Sequence, residues 1–316
     1  MKITASIPRP LILAAAIAMV GASWLSPVHA ADPNSPVVKI NEATAKADIK
    51  VETLRGGKIS VLSGSGGNIV VFDSPEGKLV IDAGIAVSKD KIVSALKTIG
   101  PAPLKYLINT HYHWDHTDGN VWMHEAGATI IGAPMTVTHL SQPTRVEDWN
   151  FTFDPLPKTA RPSIIVKGSK TLKFGGEQVV MQSFGNGHTD SDIWVYLKNA
   201  DVLALGDIFW NNYYPFIDNQ HGGGINTAIK WANKAIDATT NHTVIVPGHG
   251  ATGTRADLIG WRDMLVNVRD EVAKQKKQGK TLEQIVATKP TAAYDAKFGG
   301  FVINGDFFTK LVFDGV

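Results

Sequence analysis

The sequence predicts an α/β sandwich with two β-sheets inside and helices outside. Three observations lead there. The chain runs twice through the same order, short β-branched segments followed by helical ones. Over 316 residues it is 44% hydrophobic and 19% charged, a globular composition able to bury a sizeable core. Its histidine and aspartate clusters sit where strands run out into loops, which is where α/β folds place their chemistry.

Lys2 and Arg9 precede an apolar run from Leu11 to Val20, and Val28-His29-Ala30 stands before Ala31, so residues 1–30 read as a cleaved signal sequence. The run is shorter than the roughly 20 residues a membrane-spanning helix needs. The expectation is an exported, periplasmic protein without a stable membrane anchor after cleavage. Residues 31–316 are expected to form a single domain with a helical C-terminal extension from about 255. Loss of Lys2 and Arg9 takes Lys plus Arg from 31 to 29, equal to the 29 Asp plus Glu. That balance leaves no nucleic-acid footprint. There is no cysteine, which removes disulfides, thiolate metal sites and thiol nucleophiles.

Residues 31–56 read as a polar lead-in with an edge strand. Ile59–Leu62, Ile69–Phe72 and Leu79–Ile81 read as strands around the turns Gly64-Ser65-Gly66-Gly67 and Ser74-Pro75-Glu76-Gly77. The first of these turns has no Lys-Ser/Thr ending and no following helix, so it is not a phosphate loop. Ser88 is the expected cap of a helix with its stripe at Ile92, Val93, Leu96 and Ile99, ended by Gly100. Leu104–Ile108 is a strand that leads straight to His111. Residues 141–162 carry four prolines without clear periodicity and are expected to form a long loop, a flap beside the site. Strands follow at Lys170–Phe174, Val179–Phe184, Ile193–Leu197 and Val202–Leu205. Helices then cover Ile225–Ala238 and Arg255–Gln278, separated by a strand at Thr243–Val246, with a helical cap from Thr281.

The strongest chemical signal is His111-Tyr112-His113-Trp114-Asp115-His116, four candidate metal ligands within six residues. His111 and His113 point the same way in an extended segment, whereas the adjacent Asp115 and His116 point apart. One loop can therefore serve two metals, roughly 3.5–4 Å apart in two-metal sites. Gly187-His188-Thr189, Leu205-Gly206-Asp207 and Pro247-Gly248-His249-Gly250 add three more candidates after strands, and Asp82 closes an early strand.

This ordered set, Asp82, the His-x-His-x-Asp-His run, His188, Asp207 and His249, resembles the metallo-β-lactamase superfamily. The resemblance implies a four-layer αβ/βα sandwich with two mixed sheets and helices outside. It implies two metal ions, with His111, His113 and His188 on the first, Asp115, His116 and His249 on the second, and Asp207 bridging. Zinc is expected, with iron or manganese also compatible. Asp82 is implied to organise the metal loop by hydrogen bonds. The implied reaction is attack by a hydroxide shared between the metals on a carbonyl or phosphoryl centre of a small-molecule substrate, with Asp115 orienting the nucleophile or receiving its proton. β-Lactams are plausible targets. Yet superfamily β-lactamases generally carry Cys or Ser where Asp207 stands, and Asp207 resembles glyoxalase II, lactonases and phosphodiesterases. Lactonase, thioesterase and phosphodiesterase are the alternatives within the superfamily. A mononuclear-iron persulfide dioxygenase and a non-catalytic metal binder are the rivals outside hydrolysis.

His221, in the glycine-rich Asn219–Gly224 stretch, and Trp114, Trp210 and Tyr213 are candidates for the substrate pocket, with Phe209, Tyr214 and Phe216 as further apolar walls. His124, His139 and His242 read as surface, packing or structural residues.

Overall fold

Two β-rich stretches build two separate sheets. The computed structural model describes residues 35–316, and the signal sequence expected over residues 1–30 lies outside the described residues. The first stretch contains α1 (Pro36–Lys46), β1 (Lys50–Leu54), β2 (Ile59–Ser63), β3 (Ile69–Ser74), β4 (Gly77–Ile81), α2 (Lys89–Ile99), β5 (Leu104–Ile108), α3 (Trp114–Thr117), α4 (Asn120–Glu125), β6 (Thr129–Gly132), α5 (Pro134–His139), β7 (Thr144–Val146), β8 (Phe151–Phe153) and β9 (Ile164–Ile165). The second contains β10 (Ser169–Phe174), β11 (Glu177–Gly185), β12 (Asp192–Leu197), β13 (Val202–Trp210), α6 (Ile225–Ala238), β14 (Val244–His249), α7 (Arg255–Lys277), α8 (Leu282–Ala287), α9 (Asp295–Phe298) and α10 (Gly305–Asp314).

The first sheet has the order β1-β2-β3-β4-β5-β6-β9, the second β10-β11-β12-β13-β14, and β7 and β8 form a separate hairpin. Both large sheets are mixed. β1 to β4 are antiparallel, and β4, β5, β6 and β9 run parallel. β10 to β13 are antiparallel, and β13 and β14 are parallel.

Successive side chains of a strand face opposite ways, so a strand covered on both faces must be apolar throughout. On β3, Val70 and Phe72 face inward and Ile69 and Val71 face outward; on β13, Val202 and Ala204 face inward and Leu203 and Leu205 outward. The inward set meets Val179, Met181, Ile193, Val195 and Leu197 between the sheets. Outside, α2 and α4 cover the first sheet through Ile92, Leu96, Trp122 and Met123. α6, α7 and α10 cover the second through Trp231, Trp261, Leu265 and Phe308. The result is the four-layer αβ/βα sandwich that the resemblance implied.

Four local expectations need correction. Residues 31–56 hold a helix before the edge strand: Ser35 accepts from the Val37 amide, Pro36 starts the helix, and Val37 and Thr44 turn inward. Ser88 occupies the cap position of α2, but its hydroxyl makes no capping bond and has no partner. The backbone there is a 3-10 turn over Ala86–Ser88, and Gly100 ends α2 in an extended conformation. Residues 141–162 are not structureless, because the β7–β8 hairpin and a 3-10 turn that buries Trp149 organise them. β13 runs on to Trp210 and so carries Asp207 inside the strand.

Ile193 is fully buried between the two sheets. Ile193→Ala is expected to cost ~2–5 kcal/mol, read by urea unfolding. A loss below about 1 kcal/mol would mean that the sheets do not close on this side chain as described.

Candidate metal centre

The parallel pairs β4–β5 and β13–β14 bring four strand ends together. β4 delivers Asp82, and β5 runs into the loop and short α3 that carry His111, His113, Asp115 and His116. β13 carries Asp207, β14 ends on His249, and the turn between β11 and β12 carries His188. Two ligand-type groups result. His111, His113, His188 and Asp207 form one, and Asp115, His116 and His249 the other; within each, the candidate atoms lie within 4.8 Å of one another and all residues are buried.

The outer ring nitrogens decide what the inner ones can do. His188 Nδ1 lies 2.7 Å from the Phe216 carbonyl, which only accepts, so Nδ1 carries the proton and Nε2 a lone pair. His116 Nδ1 donates to Asp82 at 2.8 Å, and His113 Nε2 donates to Asp218 at 3.1 Å. Thr110 Oγ1 gives its own proton to Asp82 at 2.7 Å and accepts from His111 Nδ1 at 3.0 Å. The inner atoms His111 Nε2, His113 Nδ1 and His188 Nε2 are therefore lone-pair donors. His113 Nδ1 stands 3.1 Å from His111 Nε2 and 2.8 Å from His188 Nε2. Lone pairs aimed at one another at that spacing repel, and a shared cation turns the repulsion into ligation.

Asp207 stands between the groups. Its Oδ2 is 3.4 Å from His188 Nε2, 3.8 Å from His111 Nε2 and 3.5 Å from His249 Nε2, while Oδ1 is 3.1 Å from His116 Nε2. Asp115 Oδ2 lies 3.2 Å from His249 Nε2 and 3.6 Å from His116 Nε2. His116 Nε2 and Asp207 Oδ1 are buried without a hydrogen-bond partner. Orphaned buried atoms of this kind are costly unless a ligand satisfies them, so the donor set fits a pair of cations. Burial pushes His188 down to about 4 and His111 well below the usual imidazole range. Burial would raise Asp207, but the charges of His116, His249 and His188 hold it well below the usual carboxylate range. Burial would lower His116 and His249, but Asp207 and Asp115 push both up, His249 to about 9, so metal binding there displaces protons.

Asp82 sits under the cluster at φ 64°, a left-handed conformation uncommon for a non-glycine residue. From there one carboxylate accepts from the Thr110 amide at 2.7 Å, the Thr110 hydroxyl and His116. The His188 turn is held by Asp192, which accepts from the amides of His188 and Thr189 and from the Thr189 hydroxyl. Two glycines make the close packing possible: a Cβ at Gly67 would overlap the His116 ring, and one at Gly248 the Asp207 carboxylate.

The large cavity, about 810 Å³, opens onto His113, Asp115, Asp207 and His249. Trp114, Trp210, Tyr213 and Phe216 line it, and the Trp210 ring lies 4.2 Å from that of His249. His221 does not line it. Its Nδ1 bonds Asp218 at 2.9 Å and its ring faces Tyr112 and His139, so the glycine-rich loop buttresses His113 from behind rather than facing substrate. Phe209 and Tyr214 pack instead against Trp261 and Phe308 in the core. Asp218, which joins His113, His221 and the Tyr112 hydroxyl, is not among the site residues that the sequence suggests. Its only signal was an acidic residue close to His221. Trp149 and Phe301 also line the cavity without a sequence signal.

The family model of the metallo-beta-lactamase superfamily matches residues 62–272. The chain belongs to that superfamily. Among curated relatives it is 24% identical over 202 residues to "Metallo-beta-lactamase type 2" of Bacillus cereus, covering 63% of this chain and 72% of that one. It is 22% identical over 181 residues to metallo-beta-lactamase IND-1 of Chryseobacterium indologenes, covering 57% and 66%. Among solved structures, the stereoselective inverting sec-alkylsulfatase Pisa1 from Pseudomonas sp. superposes with a TM-score of 0.64 at 14% identity, over 87% of this chain and 51% of that one. The DIM-1 metallo-beta-lactamase superposes with 0.55 at 17%, over 69% and 97%. The chain thus spans about half the length of the sec-alkylsulfatase it matches, and these superpositions speak for the metallo-beta-lactamase fold alone.

Asp82→Ala strips an acceptor from the Thr110 amide, the Thr110 hydroxyl and His116 at once. With ~1–3 kcal/mol for each buried group left unsatisfied, urea unfolding is expected to show a loss of at least about 3 kcal/mol. Unchanged stability would show that Asp82 does not hold this loop.

Proposed function

We propose that the chain is an exported, dinuclear zinc hydrolase in which His111, His113 and His188 hold one ion, Asp115, His116 and His249 the other, and Asp207 both. The observation that carries this reading is the Asp207 carboxylate, whose two oxygens turn toward histidines of different groups. Imidazole and carboxylate donors without thiolate suit zinc. Bound there, the ions would supply a nucleophile from water at neutral pH and polarise the scissile carbonyl or phosphoryl group. The chain's own part is orientation and proton handling. Asp115 faces the cavity beside His249, placed to orient the attacking water and take up its proton. Asp82, Thr110, Asp218 and the Phe216 carbonyl fix the tautomer of each imidazole they contact, which raises its basicity as a ligand. Trp114, Trp210, Tyr213 and Phe216 give the reacting group an apolar surround.

The reaction class is tested on protein of measured metal content with nitrocefin, a lactone, a thioester, a phosphodiester and a sec-alkyl sulfate. Hydrolysis of at least one by a two-zinc protein is expected. No turnover with both metals present would favour a binding role, and an iron-dependent uptake of oxygen would favour the dioxygenase reading. Asp207→Ala is expected to lose one of the two ions and ~10²-fold or more in kcat. Retention of both ions with full activity refutes the bridge. Chelation is expected to abolish turnover and lower Tm, with zinc restoring both.

A further inference from the structure

The cavity is built by two different sets of residues. Its base, with His113, Asp115, Asp207 and His249, lies within the family match. Its outer walls do not. Ile40 and Ala43 come from α1, Val51 from β1, and Phe301 and Val302 from the turn between α9 and α10, all outside residues 62–272. These walls are open and mostly apolar, with Lys39, Lys50 and Glu52 at their edge. Of the five exposed large apolar side chains among the described residues, Val51, Phe301 and Val302 line this one cavity, at 42%, 45% and 37% exposure. Exposed apolar surface gathered at one place marks a binding site.

The wall is also fastened to the site. Asn41 of α1 accepts from Trp114 Nε1 at 3.2 Å, within the metal loop. Ser35 donates to the Trp149 carbonyl at 2.8 Å, and Lys91 Nζ donates to the Ala45 and Ala47 carbonyls at the helix end. Val37 of α1 is buried in the core formed with Trp149 and Phe216, and Ile40, one turn on, packs against the same core. α1 is therefore held as one side of a groove that runs outward from the histidine and aspartate cluster. The total of about 810 Å³ falls within the ~300–1,000 Å³ of small-molecule pockets.

We propose that the substrate is an amphiphilic acyl ester or thioester, its extended apolar arm lying between α1 and the Phe301–Val302 turn and its carbonyl facing the cluster. This rests on the hydrolase reading and deepens it. The acyl–oxygen or acyl–sulfur bond breaks, the water oxygen joins the acyl carbon, and a water proton leaves with the alkoxide or thiolate. The apolar arm takes no part in the chemistry. Its burial supplies affinity and holds the carbonyl in place.

Two measurements on the metal-loaded protein test this. The first is kcat/KM for p-nitrophenyl esters from acetyl to decanoyl. The second is binding of butyrate and decanoate, read by the fluorescence of Trp114, Trp149 and Trp210, and it needs no turnover. Each added methylene is expected to raise kcat/KM by about two- to fourfold until the groove is filled, and decanoate to bind at least about thirtyfold tighter than butyrate. In Phe301→Ser and Val51→Ser, both at exposed positions, the decanoyl-to-acetyl ratio is expected to fall about tenfold. Val87→Ser, at an exposed apolar position outside the groove, should keep the ratio. Equal binding of the two acids with a flat chain-length profile overturns the apolar-arm site. Tight decanoate binding without turnover of any ester or thioester overturns the acyl assignment but not the hydrolase reading, which fails only if the wider substrate panel fails too, and leaves the groove's preference for an apolar arm standing.

Discussion

Everything in this molecule turns on forcing imidazole lone pairs and a carboxylate into one buried space. His111, His113 and His188 point unprotonated nitrogens at one another because Thr110, Asp218 and the Phe216 carbonyl take their other protons. Left alone, that arrangement is unfavourable: desolvated acceptors face each other, and His116 Nε2 and Asp207 Oδ1 have no hydrogen-bond partner. The sandwich must hold the groups there against their own repulsion. It does so by placing Asp207 within the buried β13, Asp82 and His249 at the ends of β4 and β14, and the other histidines on the segments that follow β5 and β11. The closely packed interior between and around the sheets is the rigid body that resists relaxation of the site.

The fold and the site were legible in the sequence to different depths, for physical reasons. Strand and helix placement came from apolar periodicity, which is strong wherever an element is buried on one or two faces, as in β3, β13 and α6. It failed at α1, where only Val37 and Thr44 turn fully inward and Lys39, Asn41, Glu42 and Lys46 interrupt the apolar residues. It also failed over residues 141–162, where strands of three residues leave too short a repeat to read. The ligand-type residues were readable because four of them crowd into six positions and the others follow strands. The residues that aim them were not. Asp218 reaches His113 across 105 positions, and the Phe216 carbonyl reaches His188 through main chain, which carries no side-chain signature at all. His221 shows the converse error. A histidine among glycines looks accessible in sequence, but the turn folds back so that Asp218 captures its ring.

The division within the cavity follows the same logic. Residues that must meet at atomic precision, the histidine and aspartate cluster, sit on the interiors and ends of shared strands. The outer walls, α1 and the turn at Phe301, are attached from outside the matched region by a handful of hydrogen bonds and one buried face. Such attachments can vary without disturbing the cluster. They are the natural place for a superfamily fold to change what it accepts while keeping what it does.

The structure also shows where this arrangement costs stability. Asp82 accepts a left-handed backbone, about 1–3 kcal/mol against the fold, in order to reach three partners from one carboxylate. Gly67 and Gly248 give up side chains, and with them packing, so that His116 and Asp207 can approach the main chain. These three departures from local preference all border the cluster. A fold selected only to be stable would relax each of them, for example by placing glycine or asparagine at position 82. The strain at Asp82, held by a well-packed sandwich, is of the kind that preorganises a site for a ligand.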